Sequence, residues 1–228
     1  MPAPLHLFGL VHLLILAAVP LLAAFLVVVQ RRFELDSRWL RYSLAPILFL
    51  CEFSYYGCTA SQGQPIFPDH LPLELCDLSM WLVLVALLTL KPAVFDLAYY
   101  YTLAGASMSL LTPDMPRSYP ALLAVQFFAE HGLLMIAILY LVWSGQARPR
   151  PWSVVRAMLA LNVYAVFVGT FDFFFKTDYM FLRAKPQTVS AFDLLGPWPW
   201  YILGTEGFAF VFFLLLYLPF RRTKVKES

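Results

Sequence analysis

The chain has 228 residues, of which 61% are hydrophobic and 17% are aromatic, and its formal net charge is only +2. A soluble domain of this length cannot bury so much apolar surface, so the composition argues against a soluble protein and indicates a membrane protein. We expect no nucleic-acid partner.

Long apolar segments follow one another along the whole chain. A membrane-spanning helix needs about 20 largely apolar residues, and seven stretches qualify: 5–29, 39–58, 71–90, 94–111, 120–143, 154–175 and 198–220. The first is not a signal peptide, because it lacks a basic leading region and ends at Gln30-Arg31-Arg32 without a small-residue cleavage site. We therefore predict an all-α, polytopic membrane protein with seven transmembrane helices in a single domain, residues 1–228.

Basic residues are distributed unequally over the links between these spans. One side carries 12 of the 16 Lys and Arg residues, namely Arg31, Arg32, Arg38, Arg41, Lys91, Arg148, Arg150, Arg156, Arg221, Arg222, Lys224 and Lys226. The other side carries Arg117, Lys176, Arg183 and Lys185. Basic residues are enriched on the cytoplasmic side of membrane proteins, so we predict an N-terminus outside and a C-terminus in the cytoplasm.

Ionisable side chains within the spans share one depth when each is counted from the outer end of its helix at about 1.5 Å per residue. All fall in the outer half of the membrane: His12, Glu52, Glu74, Asp77, Glu130, His131, Asp172 and Glu206, together with Cys76. Polar groups inside a bilayer are functional candidates by default. Their common depth predicts a shared cavity that opens to the outer face or the outer leaflet.

Cys76 lies at the start of the third span. We expect Pro72 in the first turn of that helix, where its missing N–H costs nothing. The positive end of the helix favours a thiolate, whereas the charges of Glu74 and Asp77 oppose one. A reactive cysteine needs a base, and His131 is the preferred histidine, because it is buried in a span that begins on the same side of the membrane. A Cys–His pair performs acyl transfer through a thioester.

The other polar residues of the outer layer have supporting roles in this interpretation. Glu74, Asp77 and Glu52 are candidates to cap a helix, orient a histidine or bind a cationic group, and His12 is a candidate to assist. No G-x-S-x-G, Walker or HExxH motif is present. We expect no cofactor and no metal, and a mixed His/Asp/Glu metal site stays as a minor alternative.

Three segments carry a family resemblance: "HLPLELCDLSMWLVLVALL" from His70, "FFAEHGLLMIAILYL" from Phe127 and "DYMFLRAKPQTVSAFDLLGPWPWYI" from Asp178. In this order they resemble the YwaF family of bacterial integral membrane proteins, which is related to eukaryotic transmembrane protein 164. The resemblance runs over nearly the whole chain. Its most specific parts are L-P-L-x-L-C and the K-P…G-P-W-P-W-Y run.

The resemblance implies a cysteine-dependent acyltransferase that moves fatty acyl chains onto lysophospholipids, including ether lipids. Cys76 matches the acyl-accepting cysteine of that family, and His131 matches the histidine of its F-F-x-x-H-G pattern, which would be the base. The implied partners are a phospholipid or lysophospholipid and an acyl donor, and the implied location is the bacterial inner membrane.

Two other functions are compatible with the residues. A transporter or channel-like protein would use Glu52, Asp77, Glu130 and Glu206 as proton or cation sites, although the chain shows neither repeats nor interrupted helix pairs. A non-catalytic protein would hold lipid in the same pocket without turnover.

Overall fold

The computed structural model describes residues 6–113, 121–186 and 191–221, and its regular secondary structure there is helical throughout. The α-helices are α1 (Leu10–Arg32), α2 (Ser37–Ser61), α3 (Leu75–Thr89), α4 (Pro92–Tyr101), α5 (Ser107–Leu111), α6 (Ala121–Trp143), α7 (Ser153–Phe175) and α8 (Trp200–Tyr217). A π-helical segment, Thr102–Ala106, joins α4 to α5 in one rod, and short 3-10 segments lie at Tyr179–Phe181, Ala191–Leu195 and Leu218–Phe220.

The all-α prediction is confirmed for the described residues, and each of the seven predicted apolar stretches contains a helix. Four segments are long and apolar enough to cross a membrane: Leu10–Arg32, Leu122–Trp143, Ser153–Phe175 and Trp200–Phe220. α3 is a shorter apolar helix. These helices suit a multi-pass membrane protein. The predicted features at Leu5, Arg117, Pro120, Arg222, Lys224 and Lys226 lie outside the described residues.

The predicted start of the third helix is wrong. α3 begins at Leu75, and Pro72 precedes the helix instead of occupying its first turn. Glu74 is the N-cap residue and forms a capping box with Asp77, in which the Glu74 backbone N–H donates to Asp77 Oδ2 over 2.9 Å. Two carboxylates in this geometry satisfy N–H groups that have no partner inside the helix. Capping, one of the roles predicted for them, is confirmed.

α6 is the central helix, because α1, α2, α3 and the rod all pack against it. The rod is fixed on its other side by three consecutive tyrosines at the end of α4. Tyr99 donates to the Leu216 carbonyl, Tyr100 hydrogen-bonds the Ser153 hydroxyl, and Tyr101 donates to the Ala157 carbonyl. Buried tyrosine hydroxyls with partners hold apolar rings in fixed positions. The tyrosines therefore hold α7 and α8 against the rod.

The two ends of the bundle are held by different contacts. At one end, Tyr179 accepts a hydrogen bond from the Leu71 backbone and donates to the Pro68 carbonyl. Burial raises the pKa of Tyr179 to about 12, so its hydroxyl stays protonated and able to donate. At the other end, the buried Asp96 carboxylate pairs with Arg150 and Arg156 at 2.8 and 3.1 Å.

Candidate active site

Three carboxylates from three helices meet inside the bundle. Glu52 of α2, Asp77 of α3 and Glu130 of α6 each place one oxygen within 4.8 Å of the other two. Glu52 and Glu130 are only 1% and 5% exposed. We call these three residues the carboxylate cluster. It lies where α2, α3 and α6 pack on one another.

Neutral hydrogen-bond donors surround the carboxylate cluster. The Tyr56 hydroxyl donates to Glu52 Oε1 over 3.1 Å, and the Gln126 amide donates to Glu130 Oε2 over 2.5 Å. Three negative charges at this separation, removed from bulk water, would repel one another strongly. The cluster therefore needs protons or a bound cation, and carboxylate oxygens are the ligands that hard cations such as Ca²⁺ and Mg²⁺ prefer.

Cys76 lies half-buried at the start of α3, facing the π-helical segment. Its Sγ is 3.8 Å from the Ser109 Oγ. A Cβ added at Gly105 would be 3.7 Å from the same sulfur, in ordinary van der Waals contact. The absence of a side chain at Gly105 keeps this side of the thiol open, and the Ser109 hydroxyl is a donor within reach of the sulfur. π-Helical turns within α-helices are frequent at functional sites.

His131 is buried in α6, and one of its two ring nitrogens has a fixed role. Its Nδ1 lies 2.8 Å from the Phe127 carbonyl oxygen. A carbonyl can only accept, so Nδ1 carries the proton and donates. The neutral imidazole then presents Nε2 as a proton acceptor. This tautomer is the one that a general base requires.

Cys76 precedes Asp77 in α3, and His131 follows Glu130 in α6. Because oxygens of Asp77 and Glu130 lie within 4.8 Å of each other, the cysteine and the histidine both adjoin the carboxylate cluster. Among the described residues they do not hydrogen-bond each other, since the thiol contacts Ser109 and the imidazole contacts Phe127. Catalytic hydrogen bonds are often long before substrate binds.

His12 is buried at the start of α1, and both of its ring nitrogens are engaged. The Phe8 backbone N–H donates to Nδ1 over 2.9 Å, and Nε2 lies 2.7 Å from the Leu110 carbonyl oxygen. These partners fix the neutral tautomer with its proton on Nε2. Both ring nitrogens of His12 thus have main-chain partners, and Nε2 ties α1 to α5. Its predicted assisting role stays a prediction.

Asp172 and Glu206 take part in separate contacts. The Asp172 Oδ1 accepts from the Thr177 hydroxyl and the Tyr179 backbone N–H, which closes the turn after α7. Glu206 accepts from the Asn162 amide over 2.7 Å, between α8 and α7. Neither residue belongs to the carboxylate cluster. The outer polar layer predicted from sequence is therefore divided among several local sites.

The predicted histidine-orienting role is not observed for Glu52 or Asp77. Within the described part of the chain, Glu52 accepts from Tyr56 and Asp77 accepts from the Glu74 backbone. The described histidines in the spans instead bind main-chain groups. The main-chain groups that a histidine side chain reaches depend on the rotation of its helix about the helix axis. Residue spacing alone does not determine that rotation.

A cavity of about 230 Å³ lies between α2 and α6. Cys51, Cys58 and Gln126 contribute to its wall, whereas Cys76 and His131 do not. This cavity is thus not lined by the residues predicted to line a shared pocket, which include Glu52, Cys76, Asp77, Glu130 and His131.

Sequence reasoning did not single out Ser109, Gly105 or Gln126. Ser109 lies one turn beyond Gly105 on the rod, and small residues in a membrane helix are a general sign of close packing. Gln126 lies four residues before Glu130, the spacing at which side chains on one helix face meet. These two sequence patterns could have indicated Gly105 and Ser109 as close-packing positions and Gln126 as a partner of Glu130.

Comparison with known proteins places this chain in a family. A profile of the TMEM164 family matches residues 5–217. The chain belongs to the TMEM164 family. This confirms the resemblance to relatives of transmembrane protein 164. A relative from Treponema pallidum (strain Nichols), described as an uncharacterized protein, is 24% identical over 218 residues, which cover 94% of this chain and 89% of the relative. No solved structure matches.

Proposed function

We propose that this TMEM164-family protein is a membrane-embedded acyltransferase that transfers acyl chains between phospholipids and lysophospholipids through a thioester on Cys76. The observation that carries the proposal is that Cys76 and His131 each adjoin a residue of the carboxylate cluster, Asp77 and Glu130, while the Nδ1 contact of His131 leaves Nε2 as its proton acceptor. The activity that the family resemblance implies supports the same assignment.

The first half-reaction forms the thioester. His131 Nε2 takes the thiol proton of Cys76, and the thiolate attacks the ester carbonyl of the donor phospholipid. The ester C–O bond breaks as the C–S bond forms, and the departing lysolipid oxygen takes the proton from His131. The Ser109 hydroxyl can donate to the thiolate before attack, since it lies 3.8 Å from the sulfur.

The second half-reaction returns the enzyme to its starting state. His131 takes the proton of the acceptor lysophospholipid hydroxyl, whose oxygen attacks the thioester carbonyl. The C–S bond breaks, and the Cys76 thiolate recovers a proton from His131. No cofactor is consumed, because the complete reaction breaks one oxygen ester and forms another, with the thioester as the intermediate.

The proposal includes seven membrane crossings, an outside N-terminus and a bacterial inner-membrane location. Contacts between helix ends support alternating crossings. Arg31 donates to the Trp143 carbonyl and Arg41 to the Leu87 carbonyl, which groups four helix ends together. Those ends lie on the side that carries most of the basic residues.

Intact-protein mass spectrometry tests the thioester. Purified protein is incubated with phospholipid acyl donors, then with hydroxylamine or with a lysophospholipid. The wild type should gain an acyl mass that hydroxylamine removes and that passes to the lysophospholipid. Cys76→Ala should gain none, whereas the double variant Cys51→Ser, Cys58→Ser should still gain the hydroxylamine-sensitive acyl mass, because it retains the Cys76 thiol. An adduct of equal yield on Cys76→Ala would refute the assignment.

The carboxylate cluster favours one second candidate, a proton- or cation-coupled transporter. Three carboxylates from different helices within 4.8 Å can exchange protons or hold a cation. Glu206, which was also predicted for this role, is not one of the three clustered carboxylates and accepts from the Asn162 amide. Uptake into proteoliposomes that depends on a proton gradient and is lost in Glu130→Gln, but kept in Cys76→Ala, would support the transporter.

A further inference from the structure

The cavity between α2 and α6 is a groove in the side of the bundle. On α6, Leu122, Val125 and Ala129 follow one another at helical spacing along one wall. On α2, Cys51 and Cys58 lie two turns apart along the other wall. The groove therefore runs lengthwise between two roughly aligned helices, a shape that suits a linear ligand.

The mouth of the groove is apolar and turned outward. Leu122 and Val125 are each 67% exposed, so in a membrane they face lipid hydrocarbon. A volume of about 230 Å³ is below the range of about 300–1,000 Å³ for pockets that enclose a drug-sized ligand. The groove has room for a segment of an extended chain.

The floor of the groove leads to the carboxylate cluster. Gln126 lines the groove, and its amide donates both to the Cys51 carbonyl, over 3.4 Å, and to Glu130 Oε2, over 2.5 Å. Cys51 precedes Glu52 in α2. One amide thus separates the apolar groove from the buried region that Cys76 and His131 border.

We propose that this groove binds the acyl chain of the phospholipid substrate, with the ester end of the chain on the side of Gln126 and the carboxylate cluster. The inference rests on the proposed acyltransferase function and adds a substrate-binding site to it. Lipid hydrocarbon surrounds the mouth, a chain segment fits the volume, and the Gln126 amide at the floor leads to the carboxylate cluster. Ser54 also lines the groove, and its hydroxyl donates to the Cys51 carbonyl of its own helix. Val125 and Ala129 would then limit the chains that the enzyme accepts.

Photo-crosslinking tests the groove without requiring turnover. The probe is a lysophosphatidylcholine with a diazirine at the middle of its acyl chain, and the protein is Cys76→Ala in nanodiscs. Crosslinked peptides should map mainly to residues 51–58 and 122–129. Val125→Trp places an indole in the groove and should reduce this crosslinking about tenfold, equivalent to about 1.4 kcal/mol of binding free energy.

Val163→Trp is the matched control. Val163 lies on α7 and is 72% exposed, so the same substitution there meets lipid and should leave crosslinking to the groove unchanged. Crosslinks spread evenly over all lipid-facing helices, or a pattern that Val125→Trp does not alter, would overturn the inference.

A second measurement needs no substitution in the groove. In Cys76→Ala, lysophosphatidylcholine should slow maleimide labelling of Cys51 and Cys58 several-fold, and unchanged labelling would contradict the proposed site. Groove crosslinks without any thioester on wild-type Cys76 would refute the acyltransferase alone. A thioester on Cys76 without localised crosslinks would refute the groove alone.

Discussion

Two buried histidines show how hydrogen-bond partners decide the role of a residue. His12 is completely buried and His131 is 6% exposed, and both lie in apolar helices. Both ring nitrogens of His12 hydrogen-bond main-chain groups, whereas in His131 only Nδ1 hydrogen-bonds a main-chain group. Only His131 can accept a proton without breaking an existing hydrogen bond.

Alanine substitutions should separate the two histidines. Loss of a general base typically costs about 10²–10⁴-fold in rate, so His131→Ala should slow thioester formation by that order while the protein stays folded. His12→Ala should keep the rate within a small factor but lower the melting temperature, because it leaves the Leu110 carbonyl without its partner. Acylation rates and thermal unfolding of both variants check this. The reverse assignment would follow if His12→Ala lost the acyl adduct and His131→Ala kept it.

Ser109 should influence the reactivity of Cys76. A hydroxyl that donates to a thiolate stabilises it, so Ser109→Ala should slow alkylation of Cys76 by iodoacetamide near neutral pH. A hydrogen bond to a charged group contributes about 1.5–3 kcal/mol, and the 3.8 Å distance places the effect at or below about tenfold.

Ser107 provides the control for that measurement. Its hydroxyl donates to the Leu103 carbonyl on the same rod, so Ser107→Ala should leave the alkylation rate of Cys76 unchanged. Equal rates in Ser109→Ala and the wild type would show that the Ser109 hydroxyl does not act on the sulfur.

At the scale of helices, sequence predicts positions better than details. Apolar length located all seven helical regions, because burying side chains in lipid needs little information beyond composition. The capping box at Glu74 makes α3 begin at Leu75, four residues after the start of the predicted span. Hydropathy does not predict such local hydrogen bonds. Hydropathy also did not predict the π-helical segment Thr102–Ala106, since its extra residue per turn leaves the apolar pattern nearly unchanged.

The candidate site was predictable in residue type but not in grouping. Depth counting placed Glu52, Asp77 and Glu130 in one layer, and the structure brings these three together. The same counting included Asp172 and Glu206, which face other partners. Rotation of each helix about its axis decides the difference, and in spans that are apolar all round the sequence gives little information on rotation.

Asp96 links three elements at the end of the bundle opposite to Tyr179. Its carboxylate is 1% exposed and accepts from the Arg150 backbone N–H, the Arg150 guanidinium and the Arg156 guanidinium. Removing one partner of a fully buried ion pair costs about 3–5 kcal/mol. The arginine side chains here are 40% and 43% exposed, so water can solvate them and the loss should be smaller.

We expect Asp96→Ala to lower the melting temperature more than Arg156→Gln, because Arg150 still pairs with Asp96 in the second variant. Residues within one ion-pair network should also show a coupling of about 0.5–3 kcal/mol in a double-mutant cycle. Thermal unfolding of the two single variants and the double variant in one detergent measures it. Strictly additive losses would mean that the Asp96–Arg156 contact contributes nothing to stability.

Across the whole molecule, helix contacts and charge agree on one arrangement. The contacts of Tyr179 and His12 join helix ends at one side, and those of Asp96 and Arg41 join helix ends at the other. Among the described residues, the second side carries most of the Lys and Arg side chains. Because basic residues are retained in the cytoplasm, the carboxylate cluster, near the first side, would lie in the outer half of the membrane.

Single-cysteine labelling tests this orientation. In a background with Cys51, Cys58 and Cys76 replaced by Ser, one new cysteine is placed at Gln64, in the loop after α2, or at Arg148, in the loop after α6. Both positions are exposed.

A membrane-impermeant maleimide applied to intact spheroplasts should label Gln64→Cys, because that loop is predicted to lie outside. Arg148→Cys should react only after the membrane is permeabilised. The opposite pattern would invert the proposed orientation, and the proposed acyl transfer would then act on lipids of the cytoplasmic leaflet. Labelling of both cysteines in intact spheroplasts would instead show that the number of crossings between the two loops is even, against the three crossings proposed for α3, the rod and α6.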